Sequence, residues 1–584
     1  MTADTAQTSA PRLADRLRGA AAEARRLLPS WRDYRSLRST WRSDLVAGVT
    51  VGIVALPLAL GFGVSSGVSA EAGLITAIVA GIIAAVFGGS NVQVSGPTGA
   101  MVVVLLPIVA QHGVAAVATV SLLAGLMVLI AGALRLGRSV SFIPWPVIEG
   151  FTLGIAVIIF MQQVPALFSG ATVEPGEHSS NAIVAAGQAL MAADWSYVPW
   201  AVGAAVLVAL IMVLAPRLHS AIPGSLVGII VVTLLCVLVP TPLARIGALP
   251  HSLPAPSLPA MDPALVSTLL LPALTVAALA AIESLLSARV AAGLADTGPY
   301  DPDRELVGQG LASIGSGFFG GMPATGAIAR TAVNVRAGGR TRVSVVVHAL
   351  VLLAIVLVAA GPVGAIPLAA LSGVLMVTAV RMVQVATVRS IVRSTRADAV
   401  AFVVTAAITV SVDLIIAVLI GIVFAGIVAI RNMSRSTAVR REDLPGEAQD
   451  GDERIAIIRF EGPLIFTASD RIFEQVNAIR GISVAILRVS QVGLVDASGA
   501  RVLADLTQSL ERRGITVLIK GVRDDHERLF RSVGVLSSLR HHKHLFADMD
   551  SAAQHARSHI ERERAGRGRP ADACPRGIRP SGRT

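Results

Sequence analysis

The fold that the sequence predicts is a polytopic α-helical membrane protein of about fourteen segments, built as a 7+7 inverted-repeat transporter fold and followed by a small cytoplasmic α/β domain. Three observations predict it. Apolar runs at or near the ~18–20 residues that cross a bilayer recur from Leu45 to Ile430. The chain is 53% hydrophobic and 15% charged, which no ordinary soluble domain matches. A motif bearing glycine and proline occurs twice, at corresponding places in the two halves.

Residues 1–43 form a basic arm that carries Arg12, Arg16, Arg18, Arg25, Arg26, Arg32, Arg35, Arg38 and Arg42. No short apolar core with a small-residue cleavage site follows it, so a cleaved signal peptide is not expected. A membrane domain then spans residues 44–432. Its first repeat, about 44–240, has apolar segments near 45–67, 72–88, 92–112, 114–134, 147–168, 198–215 and 224–240. Its second, about 265–432, has them near 266–293, 306–320, 323–336, 342–360, 363–381, 399–412 and 413–431. Two in the second half are too short to span alone, which predicts broken or half-length helices. Alanine, glycine and valine dominate these runs, as suits helices whose backbones approach closely. Their length excludes a β-barrel.

Arginine placement sets the orientation. With the N-terminus inside, Arg135, Arg138, Arg217, Arg289, Arg304, Arg336, Arg340, Arg389, Arg393 and Arg396 all fall on the cytoplasmic side of the plasma membrane, and the loop from Ser169 to Pro199 has no Lys or Arg. Both termini are then cytoplasmic, with Arg245 as an outward exception. The same distribution accounts for the net charge of +11 without nucleic acid as a partner; membrane lipid is the partner implied. Two cysteines, Cys236 and Cys574, imply no disulfide or metal framework.

The repeated motif reads Phe87-Gly88-Gly89 before Gly96-Pro97-Thr98-Gly99-Ala100, and Phe319-Gly320-Gly321 before Pro323-Ala324-Thr325-Gly326-Ala327. An odd number of spans per repeat inverts the second copy. Proline and glycine inside an apolar segment break the helix and free backbone N–H groups. Half-helices starting near Thr98 and Thr325 then aim their positive ends at one point, where an anion would sit. Arg330 stands five residues past Thr325, placed either to add positive charge there or to anchor the helix at the cytoplasmic face. Glu283 is the acid set deepest in an apolar run. A carboxylate there is costly unless paired, protonated or facing water, so it reads as a coupling site for H+ or Na+, with a structural hydrogen bond as the alternative. Ser287 lies one turn on, on the same helix face. Glu149 reads as an interfacial helix-start carboxylate and Asp413 as a helix cap.

A polar linker, 433–453, leads to β-rich runs at 455–460, 484–489 and 516–519, with helical stretches near 470–479, 498–512 and 525–532. This α/β domain is bounded at 454–556, and the basic remainder, 557–584, is expected to be disordered. Ser498 fits a helix N-cap and is the candidate regulatory phosphorylation site, although capping alone suffices to explain it. The run His541-His542-Lys543-His544 lacks ligand-like spacing, and no metal is expected. With no Walker loop and no nucleophile–base pair, neither ATP-driven transport nor an enzyme is indicated, and no cofactor is implied.

Several motifs in this order resemble the SulP (sulfate permease) family: Ala55-Leu56-Pro57 with Gly67 and Gly73-Leu74, Gln93 to Gly99, Ile282-Glu283-Ser284-Leu285, Ala329-Arg330-Thr331, and Asp413-Leu414-Ile415 with Ala417-Val418. The C-terminal part is similar to a STAS domain, with Asp496-Ala497-Ser498-Gly499 at its signature loop. The resemblance implies a core domain moving against a gate domain, usually in a homodimer. It also implies an anion held between segments three and ten by Pro97, Thr98, Gly99, Ala324, Thr325, Gly326 and Arg330, with Phe62 as an aromatic wall. Glu283 and Ser287 match a carboxylate and hydroxyl that serve cation or proton coupling in some members. Leu58 stands where many members carry a polar residue, and Ala497 where many have serine. The expected activity is secondary active symport of a sulfate-like oxyanion, bicarbonate or a C4-dicarboxylate. The alternative is an anion-binding membrane sensor that signals to a protein partner through its STAS domain without net flux.

Overall fold

The computed structural model describes residues 27–34, 37–138, 143–169, 181–219, 222–259, 261–294, 296–411 and 414–567. Asp413, most of the basic arm and residues 568–584 lie outside them. The chain divides into two compact units at Gly426.

The first unit is helical. Its first half comprises α1 (Leu37–Ser65), α2 (Ala70–Phe87), α3 (Gly99–His112), α4 (Ala115–Ala133), α5 (Trp145–Phe168), α6 (Ala182–Met191), α7 (Val198–Leu218) and α8 (Gly224–Leu238). The second comprises α9 (Pro263–Leu294), α10 (Pro302–Phe318), α11 (Ile328–Arg336), α12 (Arg342–Gly364), α13 (Leu368–Met382), α14 (Val385–Arg393), α15 (Arg396–Ser411) and α16 (Leu414–Ser436), the last running past the division at Gly426. Each of the fourteen expected apolar segments corresponds to one helix. The remaining two, α6 and the amphipathic α14, lie in connections. Among the described residues, eight helices are long and apolar enough to cross a membrane.

Local chemistry sets the helix starts. Side chains of Ser69, Asn181, Asp301 and Thr341 accept first-turn N–H groups of α2, α6, α10 and α12. Helix contacts run through small residues, as the composition predicts. A Cβ added to Gly125 of α4 would lie 2.7 Å from the Gly310 carbonyl oxygen of α10, and one on Gly310 would lie 2.5 Å from the Leu129 nitrogen, so neither position tolerates a side chain. Several arginines do more than orient the chain. Arg342 donates to the carbonyls of Ala85 (3.0 Å) and Gly88 (2.6 Å) at the end of α2, and Arg245, the outward exception, donates to the Cys236 carbonyl (2.8 Å) at the end of α8.

Segments three and ten are broken as expected. Each begins with a two-residue strand, β1 (Ser95–Gly96) and β2 (Thr325–Gly326), and these pair antiparallel, Ser95 with Gly326 and Gly96 with Thr325. The half-helices differ in one respect from the expectation. α3 starts at Gly99 beside Thr98, but α11 starts at Ile328, three residues after Thr325, because the second stretch stays extended through its pairing.

The second unit contains a five-stranded sheet in the order β3 (Ala438–Glu442), β4 (Ile455–Glu461), β5 (Val484–Arg488), β6 (Thr516–Lys520), β7 (Leu545–Phe546). β3 is antiparallel to β4 and the other pairs are parallel. Helices α17 (Ser469–Asn477), α18 (Ala497–Arg512) and α19 (Asp524–Val533) cover one face, and α20 (Met549–Arg567) covers the other through Ala552, Ala556 and Ile560. Burial on both faces explains the unbroken apolar runs of the central strands. Two expected boundaries are corrected. The stretch assigned to a linker contains β3, whose Arg440, Arg441 and Glu442 mask an edge strand. The tail expected to be disordered from 557 continues as α20 to Arg567, because Ile560 is buried against the sheet.

Candidate anion-binding site

The two strands bring both half-repeats to one place, and Glu283 of α9 joins them. Its Oε2 accepts the Thr98 hydroxyl at 2.8 Å and the Thr325 hydroxyl at 2.7 Å. Thr98 therefore does not cap α3, and no side chain caps the start of α3 or of α11. Their first-turn N–H groups keep the donor capacity that an anion needs. Arg330 is buried on α11. One guanidinium nitrogen donates to the Pro97 carbonyl, and Nη1 has no hydrogen-bond partner among the described residues. This excludes the membrane-surface anchor that its sequence position allows.

Gly96, at φ +156°, passes directly under this group, since an added Cβ would lie 2.8 Å from Arg330 Nη1. Phe62 is buried and packs at Gly99, where an added Cβ would lie 3.4 Å from Phe62 Cε1 and 2.1 Å from Ile159 Cδ1. A cleft of about 500 Å³ opens one turn further along α3, between Val103 and Pro107 of α3, Leu271 and Thr275 of α9, Gln162 of α5 and Thr409 of α15. The first half-helix, α3, and α9 thus face α5 and α15 across open space.

Not every expected residue offers its backbone. The Ala324 N–H donates to Ser313 (3.3 Å) and the Gly326 N–H to Ser284 (3.1 Å), so the free end of the second half-helix lies at 328–330. The Ser287 hydroxyl is paired with Thr331 at 3.3 Å, and Thr331 also accepts the Val94 N–H at 3.0 Å. Ser287 therefore steadies the strand junction, away from the carboxylate it shares a helix with.

Sequence reasoning missed two groups here. Glu305 of α10 is buried and accepts four hydrogen bonds. They come from the N–H groups of Gly89 (2.8 Å) and Ser90 (3.0 Å) and from the amides of Gln93 (2.8 Å) and Gln309 (3.0 Å). Placed at the start of an apolar run, it reads like an interfacial acid. His348 of α12 is fully buried with both ring nitrogens unpartnered among the described residues. A lone histidine in an apolar run carries no pattern that marks it. Glu149 does behave as an interfacial carboxylate, accepting from Trp145 Nε1 at 3.1 Å.

In the α/β domain, Ser498 is exposed at the second position of α18 and does not cap it. Asp496 does, its Oδ1 accepting the Gly499 N–H at 2.7 Å while Oδ2 accepts the Phe466 N–H at 3.0 Å. Asp496, the residue just outside the helix, holds the capping position, and Ser498 already lies inside the first turn. Asp496→Ala is expected to weaken the start of α18 by ~1 kcal/mol, so its first-turn amides should exchange roughly fivefold faster in hydrogen–deuterium exchange mass spectrometry.

Two half-helices joined by a strand pair beside a carboxylate, within a helical membrane bundle open on a cleft, define a multi-pass membrane transporter. A profile of the sulfate permease family matches residues 41–405, and a STAS-domain profile matches 448–552. The chain belongs to the sulfate permease family of anion transporters. It is 34% identical over 507 residues to the putative sulfate transporter YvdB of Bacillus subtilis, covering 85% of this chain and 95% of that one. It is 30% identical over 517 residues to the bicarbonate transporter BicA of Picosynechococcus, covering 84% and 90%. Among solved structures, the transmembrane domain of a cyanobacterial BicA aligns with 67% of this chain and 98% of its own at a TM-score of 0.58 and 31% identity. The murine Solute Carrier 26 family member A9 anion transporter shares the fold at a TM-score of 0.80 and 18% identity, covering 96% and 97%. The relatives are named as transporters, not enzymes.

Proposed function

We propose that the chain is a secondary active symporter of a small oxyanion, sulfate-like before bicarbonate or a C4-dicarboxylate, coupled to H+ in preference to Na+. The shared grip of Thr98 and Thr325 on Glu283 carries this reading. An ionised carboxylate held by these hydroxyls beside the half-helix ends repels an anion, whereas a protonated one is neutral and admits the anion to them. Loading the proton and loading the anion then favour each other, which is the requirement for symport. Arg330 supplies fixed positive charge, with Nη1 as the group turned to the substrate. The pair of broken helices with α9 would move as a unit against α5 and α15 in an elevator-like step, the cleft being one end of the path. Relatives named for sulfate and for bicarbonate support the substrate class.

The protein would sit in the plasma membrane as a homodimer with both termini cytoplasmic. Ser498, exposed near the start of α18, would serve as a phosphorylation site that tunes a protein partner of the STAS domain. Proteoliposomes test the central proposal: labelled sulfate, bicarbonate and succinate are offered under an imposed proton or sodium gradient. Saturable, gradient-driven uptake of one anion is the expected result. Uptake equal to that of empty liposomes for all three, from folded protein, would sink it and favour a sensor.

A further inference from the structure

The described residues contain one group of three histidines whose ring nitrogens converge, and the transport reading makes no use of it. His544 precedes β7, while His555 and His559 occupy positions i and i+4 on α20, so both project from one face of the helix. One nitrogen from each ring lies within 4.8 Å of the other two. The ring centroids are 5.5 Å apart for His544 with either partner and 4.9 Å apart for His555 with His559, and every pair is close to edge-on.

From this convergence we infer that His544, His555 and His559 form a binding site for a divalent cation of the zinc class, with water completing a tetrahedron. Nitrogens bound at 2.0–2.1 Å with tetrahedral angles stand roughly 3.3 Å apart. The Nε2 atoms of His555 and His559 are 3.3 Å apart. His544 is buried, and its Nδ1 has no hydrogen-bond partner among the described residues. A buried imidazole nitrogen without a protein partner is one that a bound ion would satisfy.

The rings also present lone pairs at neutral pH. Burial, with Arg562 next and the neighbouring histidines after it, pushes His559 down to about 4, and burial first also lowers His544 and His555. The two nearby arginines are tied elsewhere. Arg540 pairs with Glu511 at 2.9 Å, and Arg562 donates to the Ser558 carbonyl and hydroxyl at 3.0 Å each. His541 is spoken for as well, its Nδ1 accepting the Lys543 N–H at 3.1 Å. Imidazole-only donors select zinc, nickel, cobalt or copper over magnesium and calcium. The sequence expectation of no metal rested on the spacing within 541–544. The fold overturns its premise, because the partners of His544 come from α20, a helix the sequence did not reveal.

A bound ion would staple α20 to the segment leading into the short edge strand β7. The test uses purified full-length protein with any polyhistidine tag removed, titrated with Zn²⁺ against a chromophoric chelator and with Co²⁺ by visible absorption. One equivalent of Zn²⁺ per chain, a tetrahedral Co²⁺ spectrum, and Zn²⁺-dependent protection of α20 from proteolysis are expected. His559→Asn, at a partly exposed position, should lower Zn²⁺ affinity at least about 100-fold and abolish the protection, whereas His541→Ala should leave both unchanged. Less than one tight equivalent in the wild type, or equal affinity in His559→Asn and wild type, overturns the assignment. These readouts are independent of anion flux.

Discussion

In proteoliposomes carrying Glu283→Gln, accumulation of the anion is expected to lose its dependence on the imposed gradient while downhill exchange of the anion persists. A pH difference of one unit supplies the free energy for up to about tenfold accumulation per coupled proton. The wild type should approach that ratio, and the variant should stay near one. The glutamine oxygen can still accept from both Thr98 and Thr325, so the strand junction and the two half-helix ends should keep their places. What the amide lacks is a second protonation state: it imitates the neutral acid permanently, leaving the anion admitted and the proton uncounted. Full gradient-driven accumulation in the variant would remove Glu283 from the coupling role. Drive by sodium alone, lost in the variant, would assign the carboxylate to a sodium ion instead.

That Glu283 was readable in the sequence follows from cost. A carboxylate eleven residues from the end of a 32-residue helix stands out against alanine and leucine, and no surface role competes for it. The membrane helices were legible for the same reason: their runs exceed what a soluble core needs. The broken segments announced themselves twice, through Pro97 and Pro323. The register within the break was not legible. Whether Thr325 opens a helix or ends a strand depends on Ser95 and Gly96, more than two hundred residues away, and pairing across that distance leaves no local pattern.

Charged residues with two readings caused most of the other errors. Arg330 lies fully buried with a guanidinium nitrogen on the Pro97 carbonyl, and Arg342 and Arg245 hold carbonyls at helix ends, yet by position all three resemble membrane-surface arginines. β3 and α20 were hidden by arginines and glutamates on their exposed sides. Ala552, Ala556 and Ile560, spaced four apart, with Met549 at the start of the helix, tie α20 to the sheet, too sparse a stripe to separate from a polar tail. Losing α20 from view also lost His555 and His559 as partners of His544.

Glu305 is where the absence of a sequence signal and the size of the expected effect diverge most, and Glu305→Ala should destabilise the membrane domain by about 3–5 kcal/mol, the cost of leaving buried charge-assisted partners unpaired. The carboxylate is acceptor to Gly89, Ser90, Gln93 and Gln309 at once, so truncation strands four donors in a space that water does not reach. Two of those donors lie in the turn that delivers the chain from α2 to β1. Gly89 packs so close to Asp301 that an added Cβ would lie 1.9 Å from its carbonyl oxygen, which leaves that turn no room to re-form its bonds elsewhere. Scanning fluorimetry in detergent should show the midpoint falling by roughly 6–10 °C. Glu305→Gln keeps one acceptor oxygen and should fall by less than half as much. Because β1 is the partner of β2, loosening this turn should also weaken anion uptake in Glu305→Gln without removing its gradient dependence, the opposite of the pattern expected at Glu283. An unchanged midpoint in Glu305→Ala would mean that the four donors find other acceptors and that the carboxylate is not what holds the turn.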